Sequence, residues 1–247
     1  YARSAHCESQ ISTNLSSRRS DRAELMGRYI PASVRRELRT EVNHGCALCG
    51  SPIVDYHHIV PWSERNHNNP DHMIALCPNH HRLADDGAIS RDKLYRLKEN
   101  PRNNDIVDYM FHFESEKPQF EIANLTCEVP REGEYSIIKV NEKNLFELQY
   151  ESGLITFNLE IYNKSNELIA EVTDNEWKAY TDRIWDIVYK SNELKIWDPD
   201  EDIRLKIKYD KQLDVVQFEG KFYYDDEELI IYPSRVTSSQ GGVVKGE

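Results

Sequence analysis

Hydrophobic and polar positions change their period once along this chain, near residue 106. Ahead of that point Val34, Leu38 and Val42 recur at four-residue steps. They mark one face of a helix predicted over 31–42, with Pro31 suited to its first turn and Gly45 to its stop. Arg35, Arg36 and Arg39 take much of the other surface, either as a solvated face or as contacts to a nucleic-acid backbone. From Cys46 to Gly87 there is little apolar material. A cysteine-bearing turn, a strand-like stretch at 53–60, a polar Asn- and Pro-containing loop and a helix over 78–84 are predicted there. A further short helix over 90–97 is closed by Asn100-Pro101. Residues 1–20 are polar and Ser-rich with no period, and a flexible arm is expected over 1–25.

Beyond residue 106 the alternation is two-fold. Phe157, Leu159 and Ile161 alternate with polar partners, as do Ile203, Leu205, Ile207 and Tyr209 against Arg204, Lys206 and Lys208. Apolar runs at 215–218, 222–224 and 229–232 continue the series, with turn-formers between them. Lys-Ser-Asn-Glu-Leu occurs at 164–168 and again at 190–194, which reads as one hairpin chemistry used twice rather than a solenoid repeat. The expected fold is α+β: a small metal-bound module over 26–105, then an all-β antiparallel sandwich or barrel over 106–236. A frayed tail is expected over 237–247.

Charge sharpens this division. Of a net −12, residues 1–105 contribute +2 and residues 106–247 contribute −14. The acidic part is therefore a poor nucleic-acid surface, and two bodies with different partners is the simplest account. No apolar run approaches the roughly 18 residues of a membrane span, and no secretory leader is read at the start. Five cysteines are an odd count, three of them in ligand spacing with Cys7 and Cys127 apart. That usage suits a reducing cytoplasm rather than a disulfide framework.

The chemistry is concentrated between Cys46 and Arg82. Cys46-Ala-Leu-Cys49 is answered by Cys77-Pro-Asn-His80. A two-residue gap lets one tight turn present two ligands, and two such pairs make a tetrahedral zinc site, with His81 as the alternative fourth ligand. Such a unit is stabilised by its metal to roughly 10–16 kcal/mol. His57, His58, His72 and His81 crowd the same unit. A lone histidine is usually a satisfied hydrogen-bonding residue, but adjacent His57 and His58 offer a division of labour. One would coordinate a divalent ion while its neighbour takes a proton from water near pH 7.

Residues 29–87 resemble the HNH endonucleases of the ββα-metal type with a zinc knuckle. The resemblance rests on the Arg-bearing lead helix, Cys46-x-x-Cys49-Gly50, His57-His58-Ile59-Val60-Pro61 and Leu76-Cys77-Pro78-Asn79-His80-His81-Arg82. It covers about a quarter of the chain. It implies His58 as general base, His57 and His81 as ligands of a catalytic ion (Mg²⁺, or another divalent ion such as Mn²⁺ or Ni²⁺), and Asp85 as a further ligand. His80 would stand in for the usual fourth zinc cysteine. His72 occupies the place of the family's central asparagine, either bracing the loop that carries the base or coordinating the ion.

The implied reaction is phosphodiester hydrolysis of DNA, double-stranded by preference, leaving 5′-phosphate and 3′-hydroxyl ends. Arg82 and Arg65 are candidate phosphate contacts, against a reading as ordinary surface; Trp62 is read as packing. A nuclease module fused to an unrelated β domain is, by analogy, a layout of bacterial restriction or phage-defence effectors. The β domain would then bind an activating ligand or protein, or drive homodimer formation. A zinc-stabilised binding module without catalysis and a secreted nuclease toxin are the competing classes.

Overall fold

Helix α1 (Ala32–Glu41) leads into a two-stranded antiparallel hairpin, β1 (Asp55–His58) with β2 (Met73–Leu76), and then into α2 (Pro78–Asp85) and α3 (Arg91–Glu99). The computed structural model describes residues 29–239 other than 104, 114, 116, 124, 130 and 201. The expected arm over 1–25 lies outside the described residues. All four residues of β2 are buried, and β1 pairs with them in the register Tyr56↔Ala75 and His57↔Ile74. Val42, Ile59, Ile74, Leu76, Ala84 and Leu94 close a small core around this hairpin. The strand is shorter than the 53–60 expected: past His58 the chain turns, Ile59 and Val60 both donate to the His72 carbonyl, and Pro61 has no N–H to offer a ladder. Pro78 opens α2 and Ser90 caps α3, its Oγ accepting from the Lys93 N–H.

Leu38 and Val42 are buried, and the arginine side of α1 is not a plain solvated face: it turns toward the β region, with Arg39 buried and Arg35 and Arg36 half-buried. Arg39 is buried against Asp186, and the Arg36 guanidinium lies 3.7 Å above the Trp185 ring. Both partners come from the β region, whose apolar and carboxylate groups give these long side chains somewhere to go.

From Ile106 onward the regular elements are strands. One antiparallel sheet runs β3 (Ile106–Met110), β10 (Glu176–Tyr180), β9 (Leu168–Thr173), β8 (Leu154–Tyr162), β7 (Lys143–Glu151) and β6 (Gly133–Val140). A second runs β11 (Asp186–Lys190), β12 (Glu193–Trp197), β13 (Ile203–Asp210), β14 (Val215–Tyr224), β15 (Glu227–Tyr232) and β16 (Arg235–Ser238), and β4 (Gln119–Ile122) joins it with β5 (Leu125–Glu128). Side chains of both sheets form one hydrophobic cluster. Phe146 from β7 stacks on Phe218 from β14 with centroids 4.8 Å apart, and Trp177, Phe157 and Phe222 are fully buried beside them. Burial of such aromatics dominates a core of this kind. Among the described residues no helix is long and apolar enough to cross a membrane.

Several local expectations are corrected. The runs at 215–218 and 222–224 are one strand, because Gly220 does not end it. A Cβ there would stand 3.0 Å from the Phe222 ring and 3.3 Å from the Arg204 carbonyl, so the bare backbone allows the close pairing with β13. β4 pairs with β14 in parallel, against the antiparallel expectation. The alternation in β13 fails at its start: Ile203 is 39% exposed and Arg204 only 2%. A register shift at Ile196/Trp197 in the neighbouring strand reverses the facing there. The two Lys-Ser-Asn-Glu-Leu copies make different turns. At 191–192 both central residues have positive φ, the two-residue hairpin of the primed type. At 163–167 the Asn163 side chain instead accepts from the Ser165 and Glu167 N–H groups in a wider loop. The expected tail begins inside β16, where Thr237 and Ser238 pair with β15, and 240–247 lie outside the described residues.

Candidate active site

The hairpin and α2 bring two groups of ligand-type side chains into one small module. The first is Cys46, Cys49, Cys77 and His80, whose donor atoms all lie within 4.8 Å of one another. His80 Nδ1 is 3.4 Å from Cys46 Sγ and 3.2 Å from Cys77 Sγ, and the sulfurs of Cys49 and Cys77 are 3.8 Å apart. The turn bearing the first two cysteines is stitched by Cys46 N–H to Ser51 O and Gly50 N–H to Cys46 O. Asn103 then packs its amide so closely over Gly45 and Gly50 that a Cβ at either would come within 2.2 Å. Desolvation beside the other sulfurs pushes the Cys49 thiol up to about 12. Crowded thiols of this kind ionise together only around a cation, and three sulfurs with one imidazole is a donor set that zinc takes.

The second group is His57, His81 and Asp85, also within 4.8 Å of one another. His57 comes from β1, while His81 and Asp85 stand one turn apart on the same face of α2. Asp85 Oδ1 is 3.2 Å from His57 Nδ1 and Oδ2 is 3.0 Å from His81 Nδ1, and the two rings meet edge-on with centroids 5.1 Å apart. Burial, with the nearby His81, holds the His57 imidazole below its ordinary pKa, although Asp85 pulls the other way. Two imidazoles and a half-open carboxylate suit a divalent ion with open coordination positions. The position of His80 among the sulfurs and His81 at Asp85 separates the two neighbours that the sequence left interchangeable.

His58 faces a different set of partners. Its Nε2 is 3.0 Å from the His67 carbonyl oxygen, and its ring packs edge-on against Trp62 and His67. A carbonyl only accepts, so Nε2 carries the proton and Nδ1 the lone pair. Burial lowers the His58 pKa, outweighing the His67 carbonyl and the Asn68 side chain, which favour the protonated ring. His67 is itself tied at both nitrogens: Nδ1 accepts from the Asn69 N–H and Nε2 donates to the Val60 carbonyl. His72 stands outside the His57–His81–Asp85 group. Its Nδ1 is 2.9 Å from the Tyr95 hydroxyl, and its ring packs against His67.

A cleft of about 510 Å³ is lined by His57, His58, His81 and Asp85, with Trp62 and Arg91 among its other walls. Neither Arg82 nor Arg65 lines it; both are exposed, and Arg82 Nε lies 3.8 Å from Asp86. Arg91 was missed from the sequence, as were the bracing His67 and Tyr95. Arg91 follows the Ser90 cap, so the start of α3 aims it at the cleft, where Glu64 accepts from it with both carboxylate oxygens. The signal for it was present: a capped helix start just beyond the second ligand pair.

Residues 46–90 match the HNH endonuclease family. The HNH segment therefore spans both ligand groups, the hairpin and α2, and ends at the cap of α3. An HNH segment implies a nucleic-acid substrate and divalent-metal use. No curated protein and no solved structure matches the chain.

Proposed function

We propose that the chain is a metal-dependent DNA endonuclease in which His58 is the general base. The observation that carries this reading is the pairing of a lone-pair-bearing His58 with the His57–His81–Asp85 group along one cleft. Cys46, Cys49, Cys77 and His80 hold a structural zinc. His57, His81 and Asp85 hold Mg²⁺, Mn²⁺ or Ni²⁺. An ion bound there supplies Lewis-acid polarisation of the scissile phosphate and of the leaving 3′ oxygen.

The remaining work belongs to the chain's own groups. The lowered pKa keeps His58 neutral at pH 7, and Nδ1 accepts the proton of the attacking water, a contribution on the order of 10²–10⁴ in rate. The Nε2–H to His67 carbonyl bond fixes the ring while that proton is held. His72 braces the loop through Tyr95 and His67 rather than touching substrate. Arg91 contacts a phosphate once Glu64 releases it, and exposed Arg82 and Arg65 steer the strand from outside the cleft.

The same reading divides the chain at about residue 105 into a nuclease domain and a β-sandwich domain with a net charge of −14. The acidic domain senses a ligand, docks a partner or pairs two copies for double-strand cleavage, as in a cytoplasmic restriction or phage-defence effector. The experiment is plasmid cleavage with Mg²⁺ or Mn²⁺ by the parent and by His58→Ala. Cutting by the parent alone supports the assignment, equal cutting removes His58 from it, and DNA binding with cutting by neither favours a non-catalytic zinc module.

A further inference from the structure

Tyr56 stands in the wall between two cavities. One is the cleft of the histidines; the other, of about 1340 Å³, opens between α1 and the β11–β12 edge and is lined by Arg36, Arg39, Trp185 and Asp186. The tyrosine hydroxyl accepts from Arg39 Nη1. The same guanidinium gives its other two nitrogens to Asp186, with Nε 3.0 Å from Oδ1 and Nη2 on Oδ2. Asp186 also accepts from the Ile187 N–H, and His44 Nδ1 lies 3.4 Å away. Arg39, Asp186 and His44 are all buried.

We infer that Asp186, in the β region, is a positioning residue for the nuclease site, acting through Arg39 and Tyr56 on strand β1. This rests on the endonuclease reading above. A planar guanidinium held along one edge by both oxygens of a carboxylate has a single orientation, so its third nitrogen fixes the tyrosine hydroxyl in space. Tyr56 precedes His57 and His58 in a strand of four residues that, among the described residues, pairs only with β2. A two-stranded ribbon is weak in isolation, so an outside anchor at its middle residues sets where both imidazoles sit. The acidic β region is thus a working part of the active centre, and anything that enters the larger cleft and displaces Trp185 or Asp186 alters cleavage from a distance.

An ordinary structural fastening would also use a buried ion pair, so the test separates position from stability. In steady-state plasmid cleavage, Tyr56→Phe and Asp186→Asn each lower kcat roughly ten- to hundredfold with KM changed less than about twofold, the scale of a small misplacement at the reacting centre. The double variant is no slower than the worse single, since both cut one relay. Asp202→Asn, which breaks an exposed pair with Lys221 in the same region, leaves kcat unchanged. Multiplied losses in the double variant, or losses carried by KM, would overturn the relay. A second readout needs no activity. The ring ¹⁵N resonances of His57 and His58 shift in both single variants, while those of exposed His112 do not. Unmoved resonances refute the relay even in a chain that cuts; shifted resonances in a chain that never cuts refute only the endonuclease reading.

Discussion

His58 Nε2 lies 3.0 Å from the backbone carbonyl oxygen of His67. The contact decides which nitrogen of the imidazole is free, because the acceptor has no hydrogen to give. At neutral pH, ¹⁵N spectra of His58 are expected to show the neutral Nε2–H tautomer. A protonated Nδ1 at pH 7 would contradict the assignment of the base. Replacing His58 with alanine is expected to cut the cleavage rate by about 10²–10⁴. Thermal melting should stay near that of the parent, since the ring is only half-buried and outside the core cluster.

His67 supplies that carbonyl only while its own ring holds the loop to Val60 and Asn69. His67→Ala is therefore expected to slow cleavage by about tenfold to a hundredfold, the cost of a misplaced catalytic group. Zinc content should be unaltered, because no ring nitrogen of His67 approaches the sulfur group. Normal rates in this variant would show that the loop holds its shape without the ring.

Cys46 is fully buried at the start of the sulfur-bearing turn and faces His80. Cys46→Ser should lose the bound zinc, measured by metal analysis of the purified protein. It should also unfold the segment around β1, β2 and α2, since metal binding in comparable modules contributes roughly 10–16 kcal/mol. The β region keeps its own core, so a second transition at the parent's temperature is expected in calorimetry. Full zinc and parental melting in Cys46→Ser would remove the structural role.

Much of this was legible in the residues. The four-residue steps of Leu38 and Val42, with Pro31 ahead of them, gave the first helix, and the ligand spacings gave the module. The site's supports were less visible, for physical reasons. Arg39 reads as surface because its partner, Asp186, is 147 residues away and only the fold brings it near. His67 and Tyr95 carry no spacing signal, since a histidine bonded to one backbone carbonyl and one backbone N–H leaves no period in the chain. In β13 the alternation misplaced Ile203 and Arg204, because a register shift is a property of two strands rather than one.

Asp85 is the one carboxylate of the second ligand group, and 56% of its side chain is exposed. Asp85→Asn keeps its size and removes its charge, so both imidazoles lose their anionic partner. The divalent-ion concentration for half-maximal cleavage is expected to rise at least about tenfold, the scale on which even outer-shell partners act. Bound zinc should not change. An unshifted ion requirement would place the catalytic ion elsewhere.

The Arg39–Asp186 pair predicts how the seam between the module and the β region responds to acid. Burial by itself would raise the Asp186 pKa, but His44 and Arg39 outweigh it, and the folded-state value lies below the ordinary carboxylate value. A depressed folded pKa means stability that is present above the unfolded value, about 3.9, and is lost as pH falls through the folded one. Asp186→Asn has no such charge to lose and leaves Arg39 buried without its anion. At pH 7 the variant should therefore be less stable than the parent by about 3–5 kcal/mol, as for other broken buried pairs. Acid denaturation of each by urea, compared from pH 7 downward, should show this gap closing below about pH 4. A gap that stays constant to pH 3 would mean that folding does not lower the Asp186 pKa, and the guanidinium must then be held by something other than its charge.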